Sequence, residues 1–210
     1  GRGVGEVKTP SDDQVLVNHH HLVVRNGVFA ALLAEAGMTG PELALQGKHG
    51  LENLTGAFQL GPLATGGQSF RITEISIKVF LSEGHSLSPI TAALQLCQEV
   101  PAEDIASITI DTYKFAKDII GTGPEKWRPV TREDADHSMP YIVAAVLIDR
   151  AFSDDIFSSE RRRDPQVLQL ADRITIQEDP ALTKQASEKL PCRITIKTRT
   201  GATKTASVDY

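Results

Sequence analysis

The sequence predicts an α+β fold: a small lid-type domain of antiparallel strands and helices, preceded by a short piece of an all-α domain. Residues 1–68 show only helical or irregular patterns, whereas residues 69–210 mix alternating and helical ones. The strands cluster late and the last two join as a hairpin, which favours segregated layers over a doubly wound parallel sheet. The domains are therefore drawn as 1–68, a remnant of a helical domain with its linker, and 69–210, the α+β lid.

The elements follow in order. Residues 1–17 read as irregular, because the glycines of GRGVGEV lack a preceding strand and the spacing of a phosphate loop. VVRNGVFAALLAEAG reads as a helix: Val24, Val28, Ala31, Leu32 and Ala36 trace an apolar face and Gly37 stops it. MTGPELALQG restarts a short helix, with Thr39 as cap and Pro41 in the first turn. From Gly47 to Gln68 no period holds, which marks a linker. SFRITEISIKVF then alternates, with an irregularity near Thr73 and Glu74, and predicts a strand over Phe70–Val79.

SLSPITAALQLCQEV is a helix with Ser88 and Pro89 as its start signal. IASITIDTY alternates as a strand over 105–112. The stretch from Thr131 to about Phe152 is helical with a break at Pro140, and a further helix starts at Pro165. ITIQED is a short strand, and CRITIKTRTGATKTASVDY is a hairpin turning at Thr200-Gly201-Ala202.

Composition excludes several functions. The 210 residues carry a net charge of −5, which argues against a nucleic-acid partner, since phosphate binding needs clustered cations. The basic run Arg161–Arg163 sits beside acids and reads as a solvated surface. YIVAAVLI, the longest apolar run, is too short to span a bilayer, so no membrane association is expected. Cys97 and Cys192 lack metal-type spacing and read as free thiols. His19, His20 and His21 point apart on a helix, and no partner ligand has the right spacing, so no metal is expected.

Two polar clusters carry chemistry. In REDADHSMPY, positions four apart share a helix face, which pairs Arg132 with Asp136, Glu133 with His137, and His137 with Tyr141. A capped helix start, with Thr131 as cap and Glu133 and Asp134 on the positive dipole end, accounts for the same residues without function. In IKVFLSEGH, a strand carries Lys78, and a loop carries Glu83 and His85 ahead of a helix start. That arrangement suits an anionic ligand, or alternatively an exposed lysine and a capping loop.

KWRPVTREDADHSMPYIVAAVLIDRAF closely resembles the signature of the MmgE/PrpD family, which includes 2-methylcitrate dehydratase and cis-aconitate decarboxylase. VRNGVFAALLAEAGMTGPELALQG, IKVFLSEGHSLSPITAALQL and ITIKTRTGATKTASVDY are similar to further parts of it, so the likeness covers about residues 22–210. The resemblance implies a large helical domain and a smaller α+β lid with the site between them. It implies Lys78 as the cation for a substrate carboxylate, His85 or Glu83 as proton-transfer or binding group, Tyr141 reaching the substrate, and His137 supporting it. It thus implies His85 and Tyr141 as catalytic, with Lys78, Glu83 and His137 substrate-binding. It further implies a lyase acting on a small polycarboxylate, without cofactor, cytoplasmic (mitochondrial in a eukaryote) and homodimeric.

Dehydrating a hydroxy-tricarboxylate removes a proton beside a carboxylate and expels hydroxide, which needs a base, an acid and cations. Decarboxylating an aconitate needs similar charge stabilisation and a proton donor. The sequence also departs from the family. Members are considerably longer, Leu16 stands where a lysine is frequent, and Leu81 where a proline is usual. An acid and histidines of the opposite cleft wall are not matched. The alternative expectation is therefore a truncated or non-catalytic member that binds a carboxylate or pairs with another subunit.

Overall fold

The computed structural model describes residues 12–58, 73 and 75–210, with side chains from residue 22. The chain divides into two compact units, one of Val15–Ile77 and one that includes Lys78–Tyr210.

In the first unit the main element is α1 (Asp12–Glu35), longer than its apolar pattern predicts. Residues 12–17, read as irregular, are helical, and residues 1–11 lie outside the described residues. Leu33, Ala34, Gly37 and Met38 close α1: Met38 N–H donates to Leu33 O (2.9 Å) and Gly37 N–H to Ala34 O (3.0 Å). This crossed pair needs positive φ at the residue after the cap, and Gly37 supplies it at +90°. The short helix expected after Thr39 is a series of turns instead, held by Asn53, whose Nδ2 donates to the carbonyls of Gly47 and Lys48 (both 2.8 Å). One turn of helix follows, α2 (Glu52–Thr55). Among the described side chains of α1, Leu22, Val23, Val24, Val28, Phe29 and Leu32 are exposed.

The strand expected over Phe70–Val79 is corrected. Residues 73 and 75–79 contain no strand, while 70–72 and 74 lie outside the described residues. Ile75, Ile77 and Val79 stand exposed. Alternation alone makes no strand where no neighbour takes the backbone hydrogen bonds.

The second unit carries a four-stranded sheet in the order β2-β1-β3-β4, formed by β1 (Ile105–Thr112), β2 (Ile174–Glu178), β3 (Cys192–Thr198) and β4 (Thr203–Val208). With its helices this is an α+β domain. One feature corrects the expectation of antiparallel strands: β1 pairs in parallel with β2, through Ile108–Ile174 and Ile110–Ile176, and antiparallel with β3. A parallel pair needs a long crossover, and the chain between β1 and β2 supplies α4 (Lys114–Ile120), α5 (Arg132–Asp136), α6 (Met139–Asp149) and α7 (Pro165–Ala171).

Period-two alternation sorts the two faces. Ile108, Ile110, Ile174, Ile194 and Ile196 point into the core with α3 (Leu87–Leu96) and α6. On the opposite face the directly paired residues Gln177, Asp111 and Arg193 form a polar row across three strands. Gln177 Nε2 and Arg193 Nε donate to the Asp111 carboxylate (2.6 and 2.9 Å), and Arg193 Nη2 reaches Asp179 (2.8 Å) ahead of α8 (Pro180–Gln185). The β3–β4 hairpin turns through Arg199, Thr200 and Gly201, with Gly201 at φ +88°.

The helix expected from Thr131 breaks two residues before Pro140. Thr131 and Asp134 cap α5 reciprocally, His137 ends it, and Ser138 caps α6 by accepting from Tyr141 N–H (3.2 Å). Pro140 then sits in the first turn, where its missing N–H costs nothing. The run Arg161–Arg163 is not simply solvated: Arg161 bridges Asp149 and Asp164, and Arg162 donates to Val130 O. Cys97 and Cys192 are free and buried. Among the described residues no helix is long and apolar enough to cross a membrane.

Candidate functional site

The loop from Lys78 to Ser86 is held shut by its own polar groups. Lys78 Nζ donates to Ser82 O (2.7 Å). Glu83 caps the turn that leads into α3, its Oε2 accepting from His85 N–H (2.7 Å). Ser86 Oγ donates to Ser82 Oγ (2.8 Å). The sequence builds a compact turn here because the Glu83 side chain caps the single turn Gly84–Ser86 by accepting the His85 backbone N–H.

α5 brings a second carboxylate to this loop. Asp136 Oδ1 accepts from Glu83 N–H (3.1 Å), and the same carboxyl bonds the Ser82 hydroxyl. Burial raises the pKa of Asp136; His137, the Ser82 and Glu83 hydrogen bonds and the Lys78 charge oppose that rise. His137 stands beside it, Nδ1 3.6 Å from Asp136 Oδ2 and 3.1 Å from Glu133 O, and is almost wholly covered. The third contribution comes from the end of β1. The buried Tyr113 places its hydroxyl against His85 Nδ1, and Phe115 meets the His85 ring edge-on at 5.1 Å. His85 Nε2 lies 3.9 Å from Glu83 Oε1, with both side chains partly accessible.

Lys78, Glu83 and His85 thus share one loop, and His137 joins them through Asp136. Tyr141 does not join them. It is fully buried on α6, and its hydroxyl donates to Ile156 O (2.5 Å). Burial raises its pKa, with Asp149 and Asp164 adding and Arg161 and Arg162 opposing. The resemblance implies Tyr141 reaching the substrate. Ser138 instead starts α6 early enough to place Tyr141 inside its first turn, on the packed side. In this chain the Tyr141 hydroxyl is a core tie.

Most of the cluster around Trp127–Tyr141 is architectural. Trp127 Nε1 donates to Ile174 O (3.3 Å), Thr131 caps α5, and Arg132 pairs with Asp154 (2.8 Å) above the Phe157 ring. Sequence reasoning missed Ser82, Tyr113 and Asp136 as site residues. Asp136 had a visible signal, a carboxylate beside His137 at a helix end. Tyr113 had none, since the 28 residues separating it from His85 are closed only by the sheet.

Two cavities of about 440 and 490 Å³ lie elsewhere, one lined by Gln166, Gln169, Arg173 and Arg199, the other by Asp149, Asp155, Arg161 and Asp164. The titratable groups of the Lys78–Ser86 loop and the end of α5 converge outside both cavities. Among the described residues no group of three or more His, Cys, Asp or Glu side chains is placed to hold a metal ion.

The family model for the MmgE/PrpD C-terminal domain matches residues 80–210. The 2-methylcitrate dehydratase-like protein oryR of Aspergillus oryzae is 32% identical over 125 residues, which cover 55% of this chain and 25% of that protein. The 2-methylcitrate dehydratase of Cupriavidus necator is 32% identical over 123 residues, with the same two shares. The matched stretch therefore spans about a quarter of these curated relatives.

Proposed function

Because the chain belongs to the MmgE/PrpD family, we propose that it supplies one wall of a carbon–oxygen lyase site for a small polycarboxylate of the 2-methylcitrate type. The observation that carries this reading is the convergence of Lys78, Glu83, His85 and Asp136 on one loop and one helix end. Dehydration of a hydroxy acid needs a base for the proton beside a carboxylate, a donor for the departing hydroxide, and a cation for the charge between them. Glu83 is the accessible carboxylate for the first task, and His85 carries a ring nitrogen for the second. Lys78 is the exposed cation that a substrate carboxylate would meet, exchanging the Ser82 carbonyl for a full charge.

The half-buried Asp136 holds the Glu83 backbone N–H and the Ser82 hydroxyl in place. We assign the remaining groups of the site to parts of the longer relatives that this chain does not span. Residues 1–68 are read as a remnant of the family's helical domain, and the apolar face of α1 as a subunit contact in a homodimer.

The test is an assay of the longest natural chain that carries this segment, beside this chain, on 2-methylcitrate and on cis-aconitate. Water loss from 2-methylcitrate by the longer chain is expected. Lys78→Ala should raise KM, and His85→Ala should lower kcat. Turnover of neither substrate, or variants indistinguishable from the parent, removes the proposal.

A further inference from the structure

We propose that Tyr113 is a positioning residue: it holds His85 as a neutral imidazole with its proton on Nε2, so that His85 acts as a hydrogen-bond donor and leaves proton abstraction to Glu83. What the donor is used on rests on the lyase reading above. The tautomer itself rests on contacts within the chain.

Tyr113 follows β1 directly and is buried, and its ring meets the His85 ring edge-on with centroids 5.6 Å apart. Phe115 makes a second edge contact at 82°. Between them they fix the plane of the imidazole, and the Tyr113 hydroxyl faces Nδ1. Two arrangements satisfy that contact. In one, the phenol O–H donates to a bare Nδ1 and the ring proton sits on Nε2. In the other, Nδ1–H donates to the phenol oxygen, and the phenol proton needs another acceptor. The structure gives the hydroxyl His85 as its partner and no second one among the described residues. The second arrangement would leave a buried O–H unpaired, which is the costly outcome.

The phenol also stays protonated, because burial, together with the Glu83 charge, raises its pKa. The charged neighbours agree with this choice. Glu83 Oε1 lies on the Nε2 side at 3.9 Å, where a ring proton is welcome. Asp136 bonds the Glu83 backbone and Lys78 bonds Ser82 O, so both are engaged away from the ring.

A neutral Nε2–H hydrogen-bonds the departing hydroxyl without surrendering its own proton; the proton that Glu83 takes from carbon leaves with the hydroxide as water, so neither group needs recharging between turnovers. The division of labour is then clear. Glu83 can take a proton from carbon, His85 steadies the charge that develops, and Tyr113 keeps His85 in the tautomer that can do so.

The experiment has two arms. Nitrogen-15 NMR of the His85 ring in this chain, at a pH where the ring is neutral, should show Nδ1 bare and Nε2 protonated. In Tyr113→Phe the two nitrogen shifts should move toward each other as the tautomers begin to interchange. In the longest natural chain, His85→Ala should lose about 100-fold in kcat, and His85→Gln, whose amide N–H can stand in for Nε2–H, should recover about tenfold of that loss. Tyr113→Phe should lower kcat about tenfold with KM little changed. A protonated Nδ1 in the parent, or equal losses in the Gln and Ala variants, overturns the proposal. A bare Nδ1 in a protein inactive on every polycarboxylate overturns the lyase reading and leaves the tautomer assignment standing.

Discussion

α1 and α6 are both rich in apolar residues, and they meet opposite fates. On α1, Val24, Val28, Phe29 and Leu32 each keep more than half of their surface exposed. On α6, every residue from Met139 to Leu147 is buried. The difference lies in the neighbours. α6 belongs to a unit with a sheet and packs against α3 and α7. Among the described residues, α1 shares its unit with turns and the single turn of α2. An apolar stripe is an offer of burial, and only a second layer within the same unit takes it up.

The largest expected effect tests the closed side of this contrast. Leu147→Ala removes a fully buried side chain and should cost about 2–5 kcal/mol in denaturant unfolding. A loss no greater than that of a matched α1 variant would break the comparison. Next comes Tyr141→Phe, which removes the donor to Ile156 O and should cost about 1–2 kcal/mol. It should do so without a selective effect on KM or kcat in the longer chain. A large kinetic effect on a stable variant would return Tyr141 to the site. Thr131→Ala deletes one half of the reciprocal cap of α5 and should cost about 1 kcal/mol by thermal melting.

Asp136→Asn acts through pH. The folded pKa of Asp136 is raised, so the parent chain is most stable with this group protonated. That contribution is lost as pH climbs from about 3.9, the unfolded value, through the raised folded one. The Asn variant should therefore gain on the parent over that rise in pH and match it in acid, as read from melts across pH. A gain that is largest in acid would reverse the sign and refute it. The smallest effect belongs to α1: Leu32→Ser should shift stability of the isolated chain by no more than about 0.5 kcal/mol. It should nevertheless reduce self-association by light scattering if that face is a subunit contact.

Legibility followed the same contrast. β1 and the terminal hairpin were readable because alternation, length and turn residues agree with what the sheet needs. The run at Ile75 to Val79 alternates equally well, yet pairs with no strand among the described residues, which no local pattern can disclose. α4 was missed because its seven residues carry too little periodicity to register. At the site, Lys78, Glu83 and His85 were legible as neighbours on one loop. Asp136 was in view as a charge and invisible as a partner of Glu83, since that contact spans 53 residues. Tyr141 misled for a related reason: a tyrosine after a polar cluster looks available until the cap at Ser138 sets the phase of the helix beneath it.

β1 sits inside the sheet, yet both of its partners are late arrivals. The Asp111–Gln177 and Asp111–Arg193 contacts span 66 and 82 residues. At a synthesis rate of about 5–20 residues per second, β1 leaves the ribosome several seconds before β2 exists and longer still before β3. Through that interval both of its edges are open ladders beside an isoleucine-rich face, the configuration most prone to pair with another chain. Closing such distant pairs also slows refolding relative to a helical bundle of the same size. The strand that ends between two neighbours is the one that waits longest for any, and the yield of soluble protein should depend on how quickly β2 and β3 reach it.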